Sequence, residues 1–121
     1  MKQADLRFTR SGATLICRIQ GELDMSSAER VGAAVIKTTQ PEDPGVVLDL
    51  SDVDHLDSAG VYVLFGLREN LRDRDQVLAL VVPERSPADE ALALAGVKRQ
   101  PDVALTVSEA VQAMQSREAT A

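Results

Sequence analysis

The stretch Val46-Val47-Leu48-Asp49-Leu50-Ser51-Asp52-Val53-Asp54-His55-Leu56-Asp57-Ser58-Ala59-Gly60-Val61 reads as a buried strand, a polar loop and the first turn of a helix. Val46 to Leu50 is a short apolar run of the kind buried inside a parallel or mixed sheet, and helical periodicity opens at Asp57-Ser58-Ala59-Gly60. The spacing predicts a strand over 46–50 and a helix from Ser58 to about Arg72. Ser58 then stands at a helix N-terminus, where free backbone N–H groups and the positive end of the dipole favour an anion such as a phosphate. Serine and aspartate are also favoured there for local reasons, so from the residues alone Ser58 is either a capping residue or a switch.

On a helical wheel, Gly60, Val63, Leu64, Leu67 and Leu71 share one arc and form a sufficient core face. Val61, Tyr62 and Phe65 project from another arc, with Arg68, Glu69 and Arg72. Two arrangements fit: an exposed apolar patch beside Ser58, of the kind that marks a partner, or a third helix or loop that covers Val61 and Phe65 and leaves only Tyr62 in water.

The flanking sequence alternates strand and helix. Leu6 and Phe8 alternate with Arg7 and Thr9, Ser11-Gly12 turns the chain, and Leu15, Cys17 and Ile19 follow in alternation, which predicts a hairpin. After a turn at Gly21, Ser26 or Ser27 is placed to cap a helix with Ala28, Val31 and Val35 on one face, ending before the tight loop Gln40-Pro41-Glu42-Asp43-Pro44-Gly45. Residues 76–82 read as a third core strand, and a strand–helix–strand order implies a parallel crossover. Ser86-Pro87 with Asp89, and Gly96 further on, bracket a short helix with an N-cap, a proline at its first position and a left-handed C-cap. Residues 104–107 read as a last edge strand, and Ser108 as the cap of a C-terminal helix with Val111 and Met114 inward and a tail frayed from Ser116. The expected architecture is α/β: one domain over 1–121, with its core at about 5–115. Its mixed sheet of four to five strands carries about four helices, mainly on one face.

Length and composition narrow the function. A chain of 121 residues is long enough for one sheet and a helical layer, so function must lie on a single surface. A net charge of −6 with thirteen scattered Lys and Arg disfavours direct nucleic-acid binding, which needs clustered cations. No segment has the length of a membrane helix and the start of the chain lacks the apolar core of a signal peptide, so a cytoplasmic protein without membrane insertion is expected. Cys17, alone among Leu15 and Ile19, reads as a small buried hydrophobe with neither a disulfide nor a metal to make. His55, beside a loop carboxylate and with no nucleophile in a defined chain, reads as a solvated loop residue, and no catalytic residue or enzyme activity is assigned. Asp24 and Asp57 could pair as acid and base, yet a turn for Asp24 and a helix cap for Asp57 are the simpler roles.

The sequence resembles the STAS family, the small domains of bacterial anti-sigma-factor antagonists and sulfate transporters. The resemblance rests on the 46–61 stretch, on Gly21-Glu22-Leu23-Asp24 after the second strand, and on the spacing from Leu50-Ser51 to Leu56-Asp57-Ser58 with Gly60 two residues beyond the serine. It covers roughly residues 5 to 115. Where the family often has Gly-Leu-Gly, this chain has Gly60-Val61-Tyr62.

The resemblance implies an anti-anti-sigma factor in which Ser58 is the serine that a partner kinase phosphorylates. Unphosphorylated, such a protein binds a serine kinase that is also an anti-sigma factor, and the sigma factor is released. Phosphorylation ends the binding, and a PPM-type phosphatase resets the switch. ATP and magnesium belong to the kinase, so no cofactor is expected in this chain. The residues expected to meet the partner are Asp24, Asp57, Ser58, Val61, Tyr62 and Phe65, on a monomer or weak dimer. A non-switching STAS scaffold, or a subunit of a transporter or stress-signalling complex, is the alternative. A small-ligand module is disfavoured by the lack of a Gly-rich phosphate loop or basic cluster.

Overall fold

In a computed structural model, residues 4–97 and 103–120 are described, the side chains only as far as Ser116. The elements are β1 (Asp5–Ser11), β2 (Thr14–Leu23), α1 (Ala28–Thr38), β3 (Gly45–Leu56), α2 (Ser58–Arg72), β4 (Val77–Val81), α3 (Pro87–Leu94), β5 (Val103–Ala104) and α4 (Val107–Thr120). One mixed sheet has the order β1-β2-β3-β4-β5. The hairpin β1–β2 is antiparallel, with Phe8 opposite Cys17, and the three remaining pairings are parallel.

Val46 to Leu50 is buried throughout because both faces of β3 are covered. Val46, Leu48 and Leu50 join Leu15, Cys17 and Ile19 in the main core, to which α1, α2 and Ala88 of α3 contribute. Val47 points the other way, into a smaller cluster with Ala79, Val81 and Ala110, Val111 and Met114 of α4. Three helices thus serve one face of the sheet and α4 the other. Cys17 is fully enclosed, and burial pushes its thiol up to about 12, which keeps it neutral and inert.

Several local expectations need correction. The polar loop expected after Leu50 is strand: β3 runs on to Leu56, because β2 also continues and pairs with it through Gln20–Asp52, Gly21–Val53, Glu22–His55 and Leu23–Leu56. Val53 and Leu56 turn into the core while Ser51, Asp54 and His55 face out, so His55 is an exposed strand residue. Gly21 is no turn: with φ +99° it lies within β2 beside a register shift, a bulge that left-handed glycine permits. Neither Ser26 nor Ser27 caps α1 through its side chain; the Ser27 hydroxyl donates to the Glu22 carbonyl (2.7 Å) and accepts from Asp24 N (3.1 Å). The cap at the start of α4 is Thr106, whose Oγ1 accepts from Glu109 N at 3.2 Å, so Ser108 is already inside the helix, and the edge strand is the pair Val103–Ala104 in place of 104–107. The tail expected to fray from Ser116 is helical as far as Thr120, the end of α4; its side chains from residue 117 lie outside the described residues.

The turn end of the hairpin is pinned by an ion pair. Arg10 Nη1 and Nη2 donate to the two oxygens of Asp43 at 2.9 and 3.0 Å, and Gln40 N donates to Oδ2 at 2.8 Å. The hydrogen bonds from Arg10 hold the Asp43 carboxyl below its ordinary value, with burial opposing them. A depressed folded pKa means that the stabilisation is complete above the unfolded value near about 3.9 and is lost as pH falls through the folded one. Asp43→Asn should therefore lower the melting temperature at neutral pH and flatten its decline between about pH 5 and pH 2. Thermal melts across that range test this; an acid limb parallel to that of the wild type would remove Asp43 from the account.

Candidate partner-docking site

The site is built where β2 and β3 deliver their C-terminal ends to the starts of α1 and α2. Asp57 N donates to the Leu23 carbonyl (3.3 Å), which ties the two strand ends together. The Asp57 side chain is the N-cap of α2: Oδ1 accepts from Gly60 N at 3.0 Å, and Val61 N donates to the Asp57 carbonyl at 3.0 Å. Ser58 is thereby the first helical residue, with an exposed side chain.

Gly60 sets how deep the helix sits. A Cβ built on it would overlap the Leu23 carbonyl oxygen and Leu56 Cδ1, so only glycine lets α2 come this close to the strand ends. This close approach carries Val61 under the surface. Val61 is 7% exposed and belongs to the core, so its assignment to the partner surface is withdrawn, while Val63 is only half-buried against α1, near Gly32. The buried arc of α2 is Gly60, Val61, Leu64, Leu67 and Leu71.

Tyr62 (78%) and Phe65 (45%) remain exposed, so Phe65 belongs to the outward patch, whereas Val61 leaves it for the buried face of α2 itself. With 3.6 residues per turn, Ser58, Tyr62, Phe65 and Glu69 fall within an arc of about 60°. The hydroxyl and the two rings therefore occupy one outward stripe. The helix supplies this arrangement by itself; no other element is needed to bring them together.

Asp24 is held by its own loop. Its Oδ1 accepts from Ser26 N (2.9 Å) and the Ser26 hydroxyl (2.6 Å), bonds that keep its carboxyl below the ordinary value, and its carbonyl accepts from Ser27 N and Ala28 N. Asp24 thus orders the turn into α1 and Asp57 caps α2, so each is engaged in a structural role of its own. Sequence reasoning missed Met25, which is 84% exposed between them. An isolated methionine in a polar turn carries no periodic signal; its only mark is an apolar side chain where the turn needs none.

Among the described residues, no group of three or more His, Cys, Asp or Glu could hold a metal, and no helix is long and apolar enough to cross a membrane.

A STAS domain profile matches residues 5–110. Among curated proteins, none matches the chain. Of solved structures, an anti-sigma factor antagonist from Mycobacterium paratuberculosis is similar with a TM-score of 0.80 at 21% identity, over 93% of this chain and 95% of that one. The Bacillus cell fate determinant SpoIIAA in its phosphorylated form superposes with a TM-score of 0.66 at 20% identity, over 89% and 97%. A sulfate transporter family protein from Wolinella succinogenes gives 0.73 at 18% identity, over 89% of each chain. At these identities the likeness is one of fold.

Proposed function

This chain belongs to the STAS domain family, and on that premise we propose that it is an anti-sigma-factor antagonist working in the cytoplasm by partner switching. Unphosphorylated, it binds an anti-sigma factor that is also a serine kinase and so releases the sigma factor. Phosphorylation of Ser58 ends that binding, and a PPM-type phosphatase restores it. The chain itself is a substrate and a binder, with no catalysis and no cofactor of its own.

The observation that carries this reading is the stripe on α2: an exposed hydroxyl at the first helical position, followed at one and two turns by exposed aromatic rings. A kinase can reach the hydroxyl, the helix N-terminus tolerates the phosphate that results, and the rings offer a partner area at low entropic cost.

The test begins with affinity capture of the partner by wild-type chain and by Ser58→Ala. Incubation of the purified partner with the chain, ATP and magnesium follows, read by mass spectrometry. One phosphate on Ser58 is expected. Stoichiometric phosphate elsewhere with Ser58 unmodified would overturn the assignment. The rings have their own test: Tyr62→Ala should weaken binding by roughly 1 to 3 kcal/mol with little change in melting temperature, as an exposed interface anchor does. Phe65→Ala, half-buried, should lose affinity similarly and some stability as well. Binding equal to wild type in both would remove the stripe as the docking surface.

The second reading, a STAS subunit docked without switching, is favoured by the fold shared with the sulfate transporter family protein. It predicts stable association and no kinase acting on Ser58.

A further inference from the structure

We infer that Met25 is an additional anchor for the partner that docks on α2, and that Asp57 is its positioning residue; the inference rests on the docking reading above. Asp57 uses its two oxygens on two different elements. Oδ1 accepts from Gly60 N in α2, while Oδ2 accepts from Met25 N, in the turn between β2 and α1, at 3.3 Å. One carboxylate thus fixes the Met25 backbone to the end of the helix that carries Ser58.

The rest of the turn is ordered from below. Asp24, Ser26 and Ser27 bond one another, and Ser27 Oγ reaches the Glu22 carbonyl, so the backbone is held while the Met25 side chain stays 84% exposed. The fold gains nothing from an apolar side chain at this point. Methionine is unbranched and polarisable and adapts to an apolar surface that it does not match in advance. With Tyr62 and Phe65 it makes a third exposed apolar side chain, on a turn whose backbone is tied to the cap residue next to Ser58.

The occupant is a protein and not a small molecule. These side chains stand on a turn and on the outward stripe of a helix. Neither the cleft of about 520 Å³ beside Arg68 and Met114 nor that of about 620 Å³ beside Asp52 and Pro87 includes Met25, Tyr62 or Phe65. The protein that must sense the state of Ser58 meets the Asp57 cap beside it and the turn tied to that cap; in the proposed function this is the anti-sigma factor.

The experiment titrates the purified, captured anti-sigma factor into the wild-type chain and into Met25→Ala, Met25→Leu, Asp57→Asn, the Met25→Ala/Asp57→Asn double variant and Tyr62→Ala, with a thermal melt of each. Asparagine keeps one acceptor oxygen, enough to cap Gly60 N, but its amide nitrogen cannot accept from Met25 N. Met25→Ala should raise Kd about tenfold with an unchanged melt, and Met25→Leu should recover most of the loss. Asp57→Asn should raise Kd by a smaller factor and speed hydrogen exchange of the Met25 amide. The double variant should bind no more weakly than Met25→Ala alone, because the positioning residue has nothing left to position. If Tyr62→Ala weakens binding and Met25→Ala does not, the inference fails and the docking reading stands. If neither weakens it, the docking reading itself fails. If the two losses multiply in the double variant, Asp57 meets the partner directly and is no positioning residue.

Discussion

Phosphorylation of Ser58 should weaken binding to the anti-sigma factor by roughly 30-fold to several thousand-fold, the largest effect expected of any single change to this surface. The modification adds about −1.5 to −2 charges and three acceptor oxygens at a residue next to the Asp57 carboxylate. Within the monomer the helix N-terminus accommodates that charge. A partner surface shaped for a neutral hydroxyl and apolar neighbours would instead enclose an unpaired charge, at a cost on the order of 2 to 5 kcal/mol. Ser58→Ala should keep binding and lose regulation, since the methyl preserves the neutral contact. Ser58→Asp should weaken binding less than phosphate does, because it brings one charge and a shorter reach. Calorimetric titration of the four forms measures this directly; equal affinities for the phosphorylated and unmodified chain would leave the non-switching subunit as the better account.

The same substitution at two glycines of α2 should change stability in opposite directions. Gly60→Ala places a methyl against the Leu23 carbonyl and Leu56, backbone and core that cannot move without parting α2 from the strand ends. Overpacking of this kind costs about 1 to 3 kcal/mol and more where backbone is the obstacle, while the gain in helix propensity returns up to about 1 kcal/mol. A net loss of roughly 2 kcal/mol corresponds to a melting temperature lower by about 6 to 12 °C for a domain of this size. Gly66→Ala meets nothing within 4 Å on an exposed part of the helix, so only the propensity gain remains, up to about 1 kcal/mol and a rise of about 3 to 6 °C. Thermal melts of the two variants decide it. A stable Gly60→Ala protein would mean that α2 is not seated as closely as described, and the burial of Val61 would lose its cause.

The hairpin over Leu6 to Ile19, the helix from Ser58 to Arg72 and the short helix between Ser86 and Gly96 were legible in the sequence because each is written in local chemistry. Alternation set the strands. Ser86 does accept from Asp89 N, Pro87 occupies the first turn, and Gly96 has φ +78°, as the cap residues required. The position of Ser58 beside Tyr62 and Phe65 was equally local, since residues four and seven apart share a helix face whatever surrounds the helix. The length of β3 was not local. Ser51 to His55 looks like a loop until the bulged end of β2 is laid beside it and supplies the hydrogen-bond partners.

Tertiary contact likewise decided which of Val61 and Val63 faces the core. A helical wheel gives the angle between two side chains but not the angle at which the helix is seated, and that is fixed by how closely Gly60 meets Leu23 and Leu56. It also decided Met25, whose neighbourhood is created by Asp57, 32 residues away in the chain. The sequence by itself determined the order of the elements and the stripe around Ser58, because period, cap and turn act within one or two turns of chain. Only the tertiary structure decided which residues that stripe shares its surface with, because burial and exposure depend on what the rest of the chain brings alongside.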